Sequence, residues 1–293
     1  MKNTNNTLVQ IPLIIMAMMT ANNIQAQTKE LGQYANINGI KMYYEVHGSG
    51  KPLVLIHGGG STINTTFGKI LPMLAKTHQV IAVELQAHGH TGDRDAPETF
   101  EQDADDVAEL LKQLNIPKAD ILGFSNGGST ALQIGIRHPD CVNNLIAISA
   151  IYKRDGMYPW FWDFMAKATF KDMPQVYKDT FLSITNDPAK LQNMHDKDLS
   201  RMQNFKDWKA EDIQSIKAPT LIVASDQDVV RPEHAVEMSR LLPHGRLAIL
   251  PGGHGEFFGE INFKDTGSKV PELFTAMVDE FLTGAKKQNN MPF

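Results

Sequence analysis

The chain has 293 residues, a formal net charge of −5, 42% hydrophobic side chains and 21% charged ones. This balance is typical of a globular protein and excludes a disordered chain or a polytopic membrane protein. The mild acidity provides no basic surface for binding nucleic acid. Cys141 is the one cysteine of the sequence, so neither an internal disulfide nor a cysteine-based zinc cluster can form.

The first 26 residues predict a secretory signal peptide. Lys2 precedes an apolar run at 8–20, a polar stretch ends at Ala26, and no acidic residue comes before Glu30. A membrane-spanning helix needs about 20 apolar residues, which is more than this run offers. We therefore expect an exported protein, periplasmic or secreted, that keeps no stable membrane anchor after cleavage. An uncleaved N-terminal anchor is the alternative.

Beyond this segment, short apolar runs alternate with longer amphipathic stretches, which predicts βα units and a mainly parallel sheet. The predicted strands are Lys41–Val46, Pro52–Ile56, Val80–Leu85, Ala119–Phe124, Asn144–Ser149, Thr220–Ala224 and Arg246–Leu250. The predicted helices are Thr99–Leu114, Asn126–His138, Glu233–Leu242 and Val270–Leu282. The fold class is therefore α/β, with a mainly parallel central sheet flanked by helices.

The alternation stops between Tyr152 and Ile216. This segment holds nearly half of the aromatic side chains and as many acidic as basic residues. Its composition favours a helical insertion between two strands of the sheet. We assign residues 27–150 and 217–293 to the core and residues 151–216 to the insertion.

The clearest chemical signal is Gly123-Phe124-Ser125-Asn126-Gly127, which fits the pattern Gly-x-Ser-x-Gly between a predicted strand and a predicted helix. Small residues are needed two positions before and after the serine because the backbone turns sharply there. Such a turn exposes the Ser125 hydroxyl above the sheet. It also places the backbone N–H of Asn126 at a helix start, where the helix dipole favours a developing anion.

Further motifs follow the predicted strands in a consistent order. They are Leu53-Val54-Leu55-Ile56-His57-Gly58-Gly59-Gly60, Ala87-His88-Gly89-His90-Thr91, the serine turn, His138-Pro139, the segment from Asp228 to Pro232, and Gly252-Gly253-His254. With these motifs the chain resembles the α/β-hydrolase superfamily over nearly all of its mature length. The resemblance implies a Ser-Asp-His triad under a small helical lid, with the lid at residues 151–216. Lidded esterases, enol-lactonases and carbon–carbon bond hydrolases are the most similar members.

The same residues suggest chemical roles. Ser125 needs a base to accept its proton, and His254, after the last predicted sheet strand, is the best-placed base. Asp228 is the preferred partner for the imidazole because it lies in the loop after its strand. Asp226, which continues the strand directly, and Asp155, after the preceding strand, are the alternatives.

The remaining site predictions concern the oxyanion and the substrate. We expect backbone N–H groups of Gly59 and Asn126 to bind the oxyanion, with Gly60 as the alternative to Gly59. His57 is expected to brace this glycine loop through hydrogen bonds. The aromatic run Trp160-Phe161-Trp162 is predicted to line a pocket for an apolar or aromatic part of the substrate, unless it forms the packing core of the lid.

No cofactor is expected. The glycines at 58–60 lack the spacing of a dinucleotide or ATP site, and His88 and His90 lack further metal ligands nearby. The sequence thus predicts a serine hydrolase that cleaves an ester or related acyl bond of a small, partly apolar substrate. Lactone or carbon–carbon bond hydrolysis on the same triad is one alternative, and a receptor-like binding module with little turnover is another.

Overall fold

The computed structural model describes residues 32–284, in which eight strands form a single sheet. The strands are β1 (Gly32–Ile37), β2 (Ile40–Gly48), β3 (Lys51–Ile56), β4 (His78–Val83), β5 (Ala119–Phe124), β6 (Val142–Ile148), β7 (Thr220–Ser225) and β8 (Gly245–Leu250). Their order is β1-β2-β4-β3-β5-β6-β7-β8. β2 is antiparallel to both of its neighbours, and all other neighbouring pairs are parallel.

Helices cover both faces of this sheet. They are α1 (Ile63–Phe67), α2 (Leu71–Leu74), α3 (Phe100–Gln113), α4 (Asn126–Arg137), α5 (Pro159–Met165), α6 (Gln175–Thr185), α7 (Pro188–Gln203), α8 (Ala210–Gln214), α9 (Pro232–Leu241) and α10 (Val270–Gly284). Alternate side chains of β3 enter two separate cores, because successive residues of a strand point to opposite faces. Val54 and Ile56 pack with α3 and α4, whereas Leu53 and Leu55 pack with α1, α2 and α10.

The structure confirms the predicted α/β class and adds elements that the sequence pattern did not indicate. β1 is an edge strand whose Gln33 and Tyr34 side chains are exposed, so it lacks the apolar run on which strand prediction depends. The helices α1 and α2 are too short to show a helical period. β4 begins at His78, two residues before the predicted start, and ends at Val83.

The segment between β6 and β7 is helical and contains α5 to α8. Phe181 of α6 and Leu191 and Met194 of α7 form a small apolar cluster with Ala87 of the core. The segment also joins the core at Met157, which forms an isolated antiparallel bridge with Val230. α8 contacts the core helices α4 and α9, so the C-terminal end of the predicted insertion packs against the core.

The parallel strands place the loops that matter chemically at one edge of the sheet. The glycine loop follows β3, Ser125 follows β5, and the segments containing Asp228 and His254 follow β7 and β8. In open α/β sheets this carboxyl edge is where ligands bind. Within the described residues no helix is long and apolar enough to cross a membrane. The predicted signal peptide, residues 1–26, lies outside the described residues.

Candidate active site

The turn at Ser125 has an unusual backbone. Its φ of 55° and ψ of −118° lie in a region that residues other than glycine rarely adopt. A Cβ atom on Gly123 would overlap the carbonyl of Gly127, and one on Gly127 would overlap the carbonyl of Ile56. Glycine is therefore required at both positions if the strand, the serine and α4 are to approach this closely. The backbone N–H of Ser125 donates to the carbonyl of Ile148 at 2.8 Å, which ties the turn to β6.

Three of the predicted residues meet at this turn. His254 Nε2 lies 3.0 Å from Oγ of Ser125, and His254 Nδ1 lies 2.6 Å from Oδ1 of Asp228. Since the carboxylate at Nδ1 can only accept, it selects the tautomer whose Nε2 is free to accept the serine proton. The imidazole is partly exposed, whereas the Asp228 side chain is fully buried.

Asp228 is held by two more hydrogen bonds. Ser149 Oγ donates to Oδ2 at 2.5 Å, and the backbone N–H of Val230 donates to Oδ1 at 3.2 Å. Burial alone would raise the pKa of Asp228, but the His254 charge and these hydrogen bonds outweigh it and leave the pKa below its ordinary value. The carboxylate is therefore ionised at neutral pH. The role of Ser149 was not predicted, although its place at the end of a predicted strand was a usable signal.

The same contacts set the basicity of His254. Burial alone would lower its pKa, but Asp228, and more weakly Glu260, outweigh that effect and raise the pKa above the ordinary 6.5. Glu260 is buried close to this loop, since a Cβ atom on Gly255 would stand 2.9 Å from Cβ of Glu260. The imidazole therefore becomes neutral, and able to act as a base, at a higher pH than an ordinary histidine does.

The two alternative acids have other partners. Asp226 is exposed, and its Oδ1 accepts from the backbone N–H of Gly252 at 2.8 Å, which closes the loop after β8. Asp155 is exposed and pairs with Arg231 at 3.1 Å. Neither carboxylate is hydrogen-bonded to His254, so the geometry favours Asp228 over both.

The glycine loop leaves one backbone donor free. The N–H of Gly58 donates to Oγ1 of Thr66 at 3.4 Å, and that of Gly60 donates to Nε2 of His88 at 3.2 Å. The N–H of Gly59 donates to no acceptor among the described residues. Asn126 begins α4, where backbone N–H groups have no partner within the helix. This arrangement favours Gly59 over Gly60 as the companion of Asn126.

Two buried histidines brace this loop. His57 donates from Nδ1 to the carbonyl of Gly58 at 2.7 Å and accepts at Nε2 from the N–H of Leu85 at 3.0 Å. Burial lowers the pKa of His57 to about 3, so the ring is neutral. His88 donates from Nδ1 to the carbonyl of Gln86 at 2.8 Å while it accepts from Gly60. Both nitrogens of each ring are hydrogen-bonded to backbone groups, which is consistent with the bracing role expected for His57.

A charged cluster between α7 and the core was not predicted. Arg201 of α7 donates from Nη1 to Oδ2 of Asp103 at 2.7 Å and from Nη2 to Oδ1 of Asp198. Oδ1 of Asp198 also accepts from Nδ2 of Asn126 at 2.9 Å, so α7 is joined to the serine turn itself. Glu98 Oε2 lies 3.6 Å from Arg201 Nη2. No sequence motif connects the segments that carry these residues, which only the fold brings together.

The charges in this cluster do not balance. Burial raises the pKa of Asp103 to about 6 and raises that of Glu98 well above its ordinary value. Burial would also raise the pKa of Asp198, but Arg201 outweighs it and leaves the pKa below its ordinary value. Even with Glu98 neutral, two carboxylates therefore face one guanidinium at neutral pH.

The insertion contacts the site a second time through α6. Tyr177 donates its hydroxyl to Oε1 of Glu260 at 2.6 Å. A Cβ atom on Gly60 would stand 3.5 Å from Cε of Met173 and 4.0 Å from the Tyr177 ring. The start of α6 thus lies beside the glycine loop, and side chains of the insertion border the Ser125 site.

The predicted aromatic run has mixed surroundings. Trp160 is 55% exposed. Trp162 stacks parallel to Phe205, donates from Nε1 to the carbonyl of Arg154 at 2.7 Å, and has the Arg154 guanidinium 3.7 Å above its ring. Phe161 and Trp162 border an apolar cluster that includes Val230, two residues after Asp228. These contacts give Trp162 a packing role, and they place α5 next to the loop that carries Asp228.

Metal ligands are not assembled anywhere in residues 32–284. No group of three or more His, Cys, Asp or Glu side chains in this range is arranged to hold a metal ion. His90, one of the two histidines considered for such a site, instead lies 2.9 Å through Nδ1 from Oε2 of Glu84.

Comparison with known proteins identifies the fold. A family model described as alpha/beta hydrolase fold matches residues 51–192. The chain is 24% identical over 232 residues to a 2-hydroxy-6-oxo-6-(2'-aminophenyl)hexa-2,4-dienoic acid hydrolase of Metapseudomonas resinovorans, covering 71% of this chain and 78% of that protein. It is 28% identical over 256 residues to the human serine hydrolase BPHL, covering 81% and 84%.

A solved structure shows the same architecture. The meta-cleavage product hydrolase CumD of Pseudomonas fluorescens IP01 matches with a TM-score of 0.72 at 20% identity, covering 87% of this chain and 99% of that chain. At this identity the match establishes the fold. Together with the family model and the curated relatives, it shows that the chain has the α/β-hydrolase fold and that the proteins it is similar to are hydrolases of that family.

The hydrogen bonds at His254 predict how the two neighbouring acids differ. In the unmodified protein the Asp228 carboxylate selects the tautomer of His254 and raises its pKa. Asp228→Asn removes both effects, so kcat should fall at least about tenfold further than in Asp226→Asn. The acidic limb of the kcat/KM profile reports the loss of the proton from His254 and should lie above pH 6.5 in the unmodified protein. In Asp228→Asn it should shift to lower pH, whereas in Asp226→Asn it should not move. A larger loss from Asp226→Asn would transfer the acid role to that residue.

The aromatic run predicts a second contrast. Trp162→Ala removes a stacked, hydrogen-bonded and partly buried ring and should destabilise the fold by about 1–3 kcal/mol. Trp160→Ala removes an exposed ring and should change stability by less than about 0.5 kcal/mol. Urea unfolding together with kcat/KM for a short and a bulky ester separates packing from recognition. Equal destabilisation in both variants would contradict the structural difference between the two tryptophans.

Proposed function

We propose that the protein is a serine hydrolase that cleaves an ester or a related acyl bond of a small, partly apolar substrate through an acyl-enzyme. The observation that carries the proposal is the hydrogen-bond chain from Ser125 Oγ through His254 to a buried, ionised Asp228. A nucleophile, a base and an orienting acid in this geometry are the requirement for acyl transfer.

The proposed reaction has two halves. In the first, Oγ of Ser125 attacks the substrate carbonyl while Nε2 of His254 accepts its proton. The oxyanion accepts hydrogen bonds from the N–H groups of Gly59 and Asn126, and its collapse releases the leaving group, which takes the proton from His254. In the second half, His254 accepts a proton from water, the resulting hydroxide attacks the acyl group, and Ser125 regains its proton as the acid leaves.

Hydrolysis of a carbon–carbon bond is the second candidate. It is supported by the Metapseudomonas relative, which is named as a hydrolase of a dienoic acid. The same serine and histidine would serve that reaction and the hydrolysis of a lactone. Ester, lactone and carbon–carbon bond hydrolysis all require attack on a carbonyl. The proposed site of action is outside the cytoplasm, on the strength of the N-terminal sequence pattern alone.

Removal of the nucleophile tests the proposal. Ser125→Ala should abolish labelling by a fluorophosphonate probe and lower kcat for a p-nitrophenyl ester by at least about 10³-fold, because binding and oxyanion donors alone give only residual catalysis. Ser129→Ala is the matched control. Ser129 lies one turn further along α4 and bonds to the backbone of Ile151, so its loss should leave labelling at Ser125 intact.

The outcomes separate an enzyme from a receptor-like module. Labelling of the folded, unmodified protein at Ser125 with turnover of the ester supports the proposal. A folded protein that neither labels nor turns over any ester, lactone or dienone acid would contradict it and favour the binding module.

A further inference from the structure

A free carboxylate oxygen of the insertion faces the glycine loop. Oδ1 of Asp198 accepts hydrogen bonds from Asn126 and Arg201, whereas Oδ2 accepts none from any described residue. Oδ2 is directed toward Gly59, because a Cβ atom on Gly59 would overlap it. Gly59 and Asn126 are the proposed oxyanion donors, so this oxygen borders the position of the substrate carbonyl.

The neighbouring cation is not available to a substrate. The Arg201 side chain is 3% exposed, its Nη1 is bonded to Asp103, and its Nη2 is bonded to Asp198. Its Nε is buried and meets no acceptor. A guanidinium enclosed in this way cannot rotate toward a bound molecule without breaking two charge-assisted hydrogen bonds.

The Asp198 side chain, by contrast, is 15% exposed, so the accessible charge at this position is negative. Asp198 keeps this charge at neutral pH because Arg201 stabilises its ionised form. A partly buried carboxylate repels a second carboxylate and attracts an ammonium group or another hydrogen-bond donor. Specificity of this kind depends on repulsion as much as on attraction.

We propose that Asp198 determines substrate specificity: the enzyme prefers a substrate with an ammonium group or another hydrogen-bond donor on its acyl chain and discriminates against one with a carboxylate there. This inference rests on the proposed hydrolysis at Ser125. It separates this chain from the Metapseudomonas relative, whose name states an acid as its substrate.

Three phenyl esters of equal chain length test the inference: phenyl hexanoate, monophenyl adipate and phenyl 6-aminohexanoate, with the spontaneous rates subtracted. For the unmodified protein, kcat/KM for the adipate ester should be at least about tenfold below that for the hexanoate ester, and the aminohexanoate ester should equal or exceed the hexanoate ester. In Asp198→Asn, the ratio of adipate to hexanoate should rise at least about fivefold, because repulsion is lost and Arg201 loses one partner.

Two variants control this result. Asp196→Asn makes the same change of charge on the same helix, but its side chain is 60% exposed, so the ratios should stay as in the unmodified protein. Asp198→Glu keeps the charge and should keep the preference. Using ratios within one variant cancels any general loss of activity caused by the link to Asn126.

The failure of this inference is distinct from failure of the proposed function. Fluorophosphonate labelling and turnover of phenyl hexanoate test the reaction, whereas only the ratios test Asp198. Equal kcat/KM for the adipate and hexanoate esters in the unmodified protein would overturn the inference, even if Asp198→Asn does not fold. Discrimination that persists unchanged in folded Asp198→Asn would also overturn it.

Discussion

The left-handed backbone of Ser125 is the constraint on which the rest of the site depends. A serine does not adopt this conformation readily, and it persists here because β5, β6 and α4 hold it from three sides. The glycines on either side of the serine allow that approach, since a Cβ atom at either position would overlap backbone. The conformation puts Oγ within 3.0 Å of His254 and the N–H of Asn126 at the start of a helix. One turn therefore positions both the proposed nucleophile and a proposed anion-binding donor.

The charged side chains around that turn lie on two sides of the site and have different effects. On the side of His254, Asp228 and Glu260 raise the pKa of the imidazole and so strengthen the base. On the side of the glycine loop, Asp198 leaves a negative oxygen beside the proposed oxyanion donors, while Arg201 is enclosed by carboxylates. The first arrangement supports the proposed attack by Ser125. The second is contributed by the insertion, which is the part of the chain where we expect substrate preference to be set.

The fold and the position of Ser125 between β5 and α4 were predictable because they depend on local patterns. Apolar runs gave seven of the strands, and Gly-x-Ser-x-Gly between a strand and a helix located Ser125. The partners that support the site were not predictable in the same way. Asp198 and Glu260 reach it from the insertion and from the chain after β8, and nothing in the sequence near either of them indicates the neighbour it contacts. Ser149 ends a predicted strand, which indicates its edge of the sheet but not its partner Asp228. β1 was missed for another reason, because an edge strand with polar side chains has no apolar signal to detect.

The most direct test of the account is a crystal structure of the covalent adduct with a small uncharged phosphonate. The account predicts phosphorus bonded to Oγ of Ser125 and one phosphonyl oxygen within about 3.1 Å of the backbone nitrogens of both Gly59 and Asn126. The N–H of Gly60 should remain bonded to His88, as it is without a ligand. An adduct on another residue, or an oxygen that avoids Gly59 and Asn126, would contradict the central claim that this turn builds the reactive site.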